Sequence, residues 1–404
     1  MKIRHYCALI VAAGSGSRMK SETPKQLMPY KGETVLGAAA AAFACNKNIE
    51  SLVITIPGGA SLREGAYFDI AEGLHSEYDK EVHLICGGEE RFDSVRLGLE
   101  KVSAMFTSSG ISSDDVFVLI HDGARPAVGQ EIIDRNIAAL DNSDAVCTAV
   151  KTVDSMRIKS LNSELYYPII KTEFIDRNNL YNVQTPQSFR LSTICKAYDA
   201  AVDGGFRGTD DASVAEHAGV DISVCEGSYA NIKITTKEDM PMSTRTGIGF
   251  DVHRLADGRD LILCGAPVPG SRGLTGHSDA DVATHALMDA ILGAAGKGDI
   301  GKHFPDTDDE YAGARSLDLL SDVMKIAGDI SVVNADITII AEEPRLAPYI
   351  DEMRRNIAAA LGIPAGAVNV KATTTEGLGF TGSGEGIAAM ATCSIEGRFF
   401  DEVI

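Results

Sequence analysis

No two cysteines stand in a C-x-x-C spacing, and the eight present (Cys7, Cys45, Cys86, Cys147, Cys195, Cys225, Cys264 and Cys393) are scattered over 404 residues. A disulfide framework is therefore not expected, and a reducing, cytoplasmic setting is the natural reading. No apolar run approaches the ~20 residues that span a bilayer, so no membrane association is expected. Basic residues do precede a short apolar run within Met1–Val11. However, Cys7–Ala13 is of strand length and leads into a Gly-rich turn, without the longer apolar region and cleavage site of a secretory signal. Cations are scarce: 37 Lys+Arg against 57 Asp+Glu give a formal net charge of −20. Nucleic-acid polymers call for a basic stripe and are not expected as partners. Small anionic substrates need only local clusters of Arg and Lys. Internal repeats and low-complexity tracts are also missing.

The length suits two domains of about 150 to 250 residues each. In the first part, short apolar runs read as strands at Cys7–Ala13, Leu52–Pro57, Val82–Cys86, Val116–His121 and Ala145–Val150, with helices between them, as at Val95–Val102 and Glu131–Leu140. That alternation predicts an α/β, Rossmann-like domain with a largely parallel sheet and ligands at the carboxyl ends of its strands. Beyond residue 240 the pattern predicts a smaller α+β domain. Its helices at Asp281–Ala295, Ser316–Ala327 and Pro348–Leu361 pack on one face of a sheet, with strands at Leu261–Cys264, Val332–Ala341, Val368–Ala372 and Ile387–Glu396. The expected division is residues 1–239, a linker at 240–246, and residues 247–404.

Ala12 to Met19 reads Ala-Ala-Gly-Ser-Gly-Ser-Arg-Met, with Pro24, Lys25 and Gln26 following. It is neither a Walker A loop nor G-x-G-x-x-G. Lying between a strand and a helix, its backbone N–H groups can cradle a triphosphate, with Gly14 and Gly16 permitting close approach. Arg18 and Lys25 are close enough in sequence to flank the same phosphates. Further along stand Gly87-Gly88-Glu89-Glu90-Arg91-Phe92-Asp93-Ser94, His121-Asp122-Gly123-Ala124-Arg125-Pro126, Asp176-Arg177-Asn178, Thr185-Pro186-Gln187, Thr209-Asp210-Asp211-Ala212-Ser213 and Asn231-Ile232-Lys233. Asp122 and Arg125 can also be read as a structural loop ion pair, and Asp210 and Asp211 read better as helix N-caps than as catalytic groups.

Taken together, these segments resemble the 2-C-methyl-D-erythritol 4-phosphate cytidylyltransferase family over about residues 4 to 240. The resemblance implies that the Gly14–Arg18 loop and Lys25 hold the CTP triphosphate, that Ser94 with Gly87 and Gly88 reads cytosine, and that Asp122 meets the ribose and magnesium. It also implies that Arg125, Ser155, Arg177 and Lys233 hold the methylerythritol phosphate. Arg18, Lys25 and Lys233 would be the catalytic cations. Many relatives have Thr at the position of Ser155, which keeps the hydroxyl. Ser155 and Arg177 would reach across a dimer interface.

In the second part, Asp251 and His253 are alternate residues of an extended segment and point the same way. His277, Asp281 and His285 are spaced by four and would share a helix face if the helix began that early. Imidazole and carboxylate ligands suit zinc, and three protein ligands would leave the open position of a catalytic site. Ser278 with Asp281 can equally be read as an N-cap box.

The motifs Gly249-Phe250-Asp251-Val252-His253, the run from His277 to His285, the run from Gly298 to Asp308, and the run from Lys371 to Gly386 resemble 2-C-methyl-D-erythritol 2,4-cyclodiphosphate synthase over about residues 245 to 404. The resemblance implies zinc on Asp251, His253 and His285, and a second divalent ion, Mg²⁺ or Mn²⁺, on Glu376. His277 and Ser278 would line the substrate loop, Asp299 and Gly301 would contact the methylerythritol hydroxyls, and Thr375 would sit by the phosphates. Ala341, Pro344 and Leu346 would form part of the cytidine pocket. Phe250, Phe380 and Glu385 match the family, but Ser383 stands where many relatives have Arg in a central trimer cavity inferred to take isoprenoid diphosphates. Such binding is not expected here.

The two resemblances imply a bifunctional enzyme of non-mevalonate isoprenoid precursor synthesis, with a separate kinase acting between its two steps; no kinase-type motif is found in the chain. A dimeric first half joined to a trimeric second half implies a homo-oligomer that closes as a hexamer or larger assembly. Two alternatives stay open at the level of sequence: a sugar-nucleotide pyrophosphorylase fused to a metal-binding module, and an inactive scaffold that keeps the fold.

Overall fold

The computed structural model describes residues 3–14, 19, 23–159, 172–305, 311 and 313–399. The chain divides into two compact units between Met240 and Pro241.

The first unit is built on strands β1 (His5–Val11), β2 (Ser51–Ile56), β3 (Glu81–Cys86), β4 (Val116–Asp122), β5 (Ala145–Lys151), β6 (Tyr181–Arg190) and β7 (Ser223–Glu226), in the order β7-β5-β6-β4-β1-β2-β3. Pairing is parallel except along β6, which runs antiparallel to β4 and β5. Helices α1 (Val35–Ala44), α2 (Ala66–Tyr78), α3 (Arg91–Ser108) and α4 (Gln130–Ala139) make the crossovers, and α5 (Leu191–Asp203) and α6 (Asp211–His217) follow β6. Strand alternation sends Cys7 and Leu9 into a core shared with α3 and α5, and Ala8 and Ile10 into one shared with α1 and α4. This burial on both faces explains why these strands read as unbroken apolar runs. From β1 the chain steps to β2 and β3 on one side and then to β4 on the other. The topological switch, where open α/β sheets place their ligands, therefore lies between the carboxyl ends of β1 and β4.

The second unit carries β8 (Ser243–Asp257), β9 (Arg272–Thr275), β10 (Ile330–Ile340), β11 (Val368–Thr373) and β12 (Gly386–Gly397), in the order β9-β8-β12-β10-β11. Helices α7 (Val282–Ala295), α8 (Ser316–Ala327) and α9 (Ile350–Leu361) share one core with it. Gly247 and Gly249 decide how α7 lies: a Cβ on either would fall 1.9 or 2.0 Å from the Ala290 or Ala286 carbonyl oxygen. Glycines at these two positions let the helix backbone rest directly on β8. The same alternation turns Asp251 and His253 toward α7 and leaves Ile248, Phe250 and Val252 exposed on the opposite face.

Three sequence expectations differ from what is observed. The segment 240–246 does not run free: Met240 is buried in the first unit and β8 already begins at Ser243, paired with Gly397. Ser243, Thr244, Arg245 and Thr246 are all polar and conceal the start of a strand that its pairing with β12 reveals. α3 starts at Arg91 instead of Val95. α7 starts at Val282, so His277 and Asp281 are not on its face with His285.

Candidate functional sites

At the switch point a cavity of about 340 Å³ is lined by Gly14, Lys25, Gln26, Gly88, Arg91, Ser94, Asp122 and Lys233, among others. Asp122, the last residue of β4, is nearly buried, and three cations surround it. Lys233 Nζ stands 2.8 Å from Oδ2, Arg91 Nε 3.1 Å from Oδ1 and Arg125 Nε 3.5 Å from Oδ2. Burial alone would raise this carboxyl, but the charges of Arg91, Lys233 and Arg125 hold it well below the usual carboxylate range. Lys25 Nζ donates to the Ile234 carbonyl (3.1 Å), and Gln26 Nε2 donates to the carbonyls of Ala12 (2.8 Å) and Gly14 (2.6 Å). Gln26 thus fastens the Gly-rich turn to the segment that carries Lys25. On the far wall Ser94 Oγ accepts from Gly88 N–H at 3.1 Å. A Cβ on Gly87 would lie 2.3 Å from the Ala13 side chain, and one on Gly88 2.4 Å from that of Asp93. These glycines are needed for close packing of the turn, whose N–H groups are held by the Ile56 carbonyl and by Ser94 Oγ.

His121, fully buried beside Asp122, donates from Nε2 to the Arg125 carbonyl (3.1 Å) and accepts at Nδ1 from Thr185 Oγ1 (3.0 Å). Burial pushes its pKa down to about 4 from 6.5. Above pH 6.5 the ring is neutral in both folded and unfolded chains. As the pH falls from there toward 4, the unfolded chain takes up a proton that the folded one refuses. Stability should fall by roughly 3 kcal/mol over that window on this account. Urea midpoints measured against pH should be flatter for His121→Gln than for the wild type between those limits, and parallel curves would remove His121 as the cause.

In the second unit Asp251, His253 and His285 form the one cluster of possible metal ligands found among the described residues. Asp251 Oδ2 lies 3.0 Å from His253 Nε2 and 3.1 Å from His285 Nδ1, and the two ring nitrogens are 3.1 Å apart. A second contact fixes the tautomer of His253. His253 Nδ1 donates to the Thr275 carbonyl (2.9 Å). His285 Nε2 faces Ser278 Oγ (3.1 Å) and Ser316 Oγ (3.0 Å), and Ser316 Oγ in turn donates to Asp279. The Ser278 hydroxyl accepts from Ala280 N–H and keeps its own proton to give, so these contacts are compatible with either tautomer of His285. With the His285 proton on Nε2, both facing ring nitrogens turn a lone pair toward the carboxylate, an arrangement that a cation at its centre satisfies. With protons alone, burial would raise Asp251 and lower His253, but their mutual hydrogen bond outweighs it, holding Asp251 low and lifting His253. Three donors about 3.3 Å apart are what a tetrahedral ion with bonds of about 2.0–2.1 Å requires, so the residues fit a metal. The triad opens into a cavity of about 530 Å³ lined by His277, Ser278, Ile300, Gly301, Phe304, Tyr311 and others.

Comparison with known proteins matches each of the two units to a known family. The sequence model of 2-C-methyl-D-erythritol 4-phosphate cytidylyltransferase matches residues 6–245, and that of the YgbB family matches residues 244–396. A bifunctional enzyme IspD/IspF of Desulforudis audaxviator is 42% identical over 398 residues, covering 96% of each chain. The chain belongs to the bifunctional IspD/IspF family. A second such enzyme, from Paramagnetospirillum magneticum, is 41% identical and covers 96% of this chain and 97% of its own. The structure of the bifunctional IspDF from Campylobacter jejuni is 30% identical, covering 98% of this chain and 99% of that one, with a TM-score of 0.44.

Not every residue proposed from the IspD/IspF resemblance meets at these cavities. Gly16 and Arg18 lie outside the described residues. Arg125 is turned inward, donating to the Asn231 carbonyl at 2.7 Å. Ser155 and Arg177 do not line the first cavity; Arg177 instead donates to the Val153 carbonyl (2.7 Å), beside a short ribbon of Arg157–Lys159 paired with Thr172–Phe174. Thr375, Glu376, Phe380, Ala341, Pro344 and Leu346 do not line the metal cavity. Asp299 caps a short helix at Ile300–His303 by accepting from Lys302 N–H. The readings left open for the capping residues divide. Asp210 is an N-cap with a full capping box, whereas Asp211 is a buried partner of Arg91, bound at 3.0 and 2.7 Å. Asp281 caps α7 and also accepts from Cys264 and Gly265 N–H; Ser278 forms no box with it and its hydroxyl faces His285.

Sequence reasoning gave no role to Gln26, Arg91, Ser316 or Glu342. Glu342 Oε1 accepts from the N–H groups of Thr375 (2.9 Å) and Gly377 (3.2 Å), anchoring the loop at Glu376, a residue in the left-handed region (φ 53°). The hydroxyl of Ser383 lies 2.8 Å from Glu385 Oε1.

Proposed function

We propose that the first unit transfers the cytidylyl group of CTP to 2-C-methyl-D-erythritol 4-phosphate with release of pyrophosphate. The second unit cyclises 4-diphosphocytidyl-2-C-methyl-D-erythritol 2-phosphate to the 2,4-cyclodiphosphate with release of CMP. The observation that carries this reading is the coexistence in one chain of a cation-lined cavity at an α/β switch point and an Asp-His-His triad whose ligand atoms converge.

In the first reaction a phosphate oxygen of the polyol attacks the α-phosphorus of CTP in line with the departing pyrophosphate. That phosphate is already ionised and needs no general base, so the protein contributes position and charge. Lys25, with Arg18 from the Gly-rich loop, would lie against the triphosphate. Lys233, held by Asp122, would lie against the incoming phosphate, and Gly87, Gly88 and Ser94 would present the base-reading turn. Magnesium at the Asp122 side would supply further neutralisation of the phosphates.

In the second reaction the 2-phosphate attacks the β-phosphorus of the same molecule, so holding the substrate folded supplies much of the acceleration. Zinc on Asp251, His253 and His285, with magnesium or manganese on Glu376, would supply Lewis-acid polarisation of the diphosphate. His277, Ser278, Asp299 and Gly301 would hold the polyol, Thr375 and Phe380 would lie at the phosphate side, and Ala341, Pro344 and Leu346 would receive the cytidine.

Each site is best understood as completed by a second copy of the chain. Ser155 and Arg177 sit beside a ribbon with exposed apolar residues, including Phe174 at 77%, which favours a dimer of first units. Ile248, Phe250, Val252 and Met390 are exposed on the sheet of the second unit, which, with the residues that miss the metal cavity, favours a trimer. Combining two-fold and three-fold contacts closes a hexamer or larger particle. The domain roles follow the two units, and the intervening phosphorylation falls to a separate kinase.

The test is nucleotide selectivity. With methylerythritol phosphate as acceptor, CTP should support pyrophosphate release far better than UTP, GTP or ATP; equal use of UTP would favour a general sugar-nucleotide pyrophosphorylase.

A further inference from the structure

Behind Asp122 and Lys233 stand three polar groups, Tyr198, Asp211 and Arg91, that none of the roles above uses. Tyr198, almost wholly enclosed in the core, donates its hydroxyl to Asp211 Oδ1 at 2.7 Å. Asp211, fully buried, receives the forked end of Arg91, Nη1 to Oδ1 at 3.0 Å and Nη2 to Oδ2 at 2.7 Å. Arg91 then passes Nε to Asp122 Oδ1, and Asp122 turns its other oxygen to Lys233. The line thus runs Tyr198, Asp211, Arg91, Asp122, Lys233, from the core of α5 to the mouth of the cavity.

The surroundings hold this line in place. Arg207 donates to both Glu90 and Asp93 at 2.9 Å and lies over the Phe92 ring, so a second set of ion pairs ties the start of α3 to the segment before α6. The rings of Phe92 and Tyr198 meet at 4.7 Å. A guanidinium can grip two carboxylates at once in a fixed plane, which an ammonium cannot do. Placing a cation in the first turn of a helix is unfavourable for the helix dipole, so Arg91 at the start of α3 answers to its tertiary partners. Burial disfavours its charge, but Asp211 and Asp122 together outweigh that effect and keep it firmly protonated.

We infer that Arg91 is a positioning residue for cytidylyl transfer. It fixes the Asp122 carboxylate, and through it Lys233, against the incoming phosphate, with Asp211 and Tyr198 as its buried anchor. The inference rests on the function proposed above. Its effect falls on the acceptor side of the reaction, because Lys25 and the Gly-rich turn are held separately, by Ile234 and Gln26.

The experiment uses the full chain and compares the wild type with Arg91→Lys, Asp211→Asn and the double variant. Arg91→Lys keeps the charge and loses the fork. It should lower kcat by about tenfold or more and raise KM for methylerythritol phosphate more than KM for CTP, with CMP release by the second unit unchanged. Asp211→Asn, nearly isosteric, should shift the same two constants in the same direction. The double variant should cost no more than Arg91→Lys alone, since the two act as one unit. Wild-type constants in both single variants would overturn the inference. So would loss of CTP binding and of thermal stability in step with kcat, the mark of a purely structural network. A wild-type chain that transfers no cytidylyl group would overturn the functional reading, and this inference with it.

Discussion

His253→Ala should strip the tightly held metal from the second unit and reduce CMP release to near background, while the first unit goes on consuming CTP. Three donors converge on one point, and the loss of His253 leaves one imidazole and one carboxylate, too few for a tight site. Lewis-acid stabilisation of a diphosphate is worth several kcal/mol, on the order of 10³ in rate. The first unit is spared because its cavity belongs to a separate compact unit with its own core and cations. Elemental analysis and a CMP-release assay check the two halves of the statement. Normal zinc content with cyclisation preserved would remove this histidine from the metal site.

Lys25→Ala should lower cytidylyl transfer by a factor on the order of 10²–10³, the usual cost of one preorganised charge-stabilising donor, and leave cyclisation intact. The ammonium is aimed by its bond to the Ile234 carbonyl and by Gln26, its neighbour in sequence, which grips the Gly-rich turn. Alanine removes the charge and leaves that framework standing. The same variant also tests the shared site. If Arg177 serves the partner's cavity, mixing Lys25→Ala chains with Arg177→Ala chains should restore part of the activity, because some mixed dimers then hold one cavity with both cations. Demonstrated subunit exchange without recovery would contradict a shared site, and equal loss of both activities in Lys25→Ala would contradict independent ones.

Much of this was legible in the sequence because the chemistry is local. Asp251 and His253 are two residues apart on a strand, so alternation alone places both side chains on one face. The parallel sheet of the first unit was legible for a similar reason: strands buried on both faces carry uninterrupted apolar runs. What escaped depends on contacts distant in sequence. Asp210 and Asp211 are adjacent and chemically alike, yet one caps a helix and the other pairs with Arg91, 120 positions away. A cation at the start of α3 was the available signal, since it opposes the helix dipole and calls for a tertiary carboxylate. Ser243–Thr246 escaped because a run of polar residues resembles a connecting segment. Ser316 and Glu342 act only by orienting His285 and the Glu376 loop, and single hydroxyls and carboxylates leave no pattern.

The central claim is that one chain carries two chemically independent centres, and selective removal of the tightly bound metal tests it most directly. A single preparation would be treated with a zinc-selective chelator, returned to excess magnesium, and assayed for pyrophosphate release from CTP and methylerythritol phosphate and for CMP release from the phosphorylated product. CMP release should collapse and return on adding zinc, with pyrophosphate release unchanged throughout. Loss of both activities together, or CMP release that survives complete removal of the zinc, would contradict the claim.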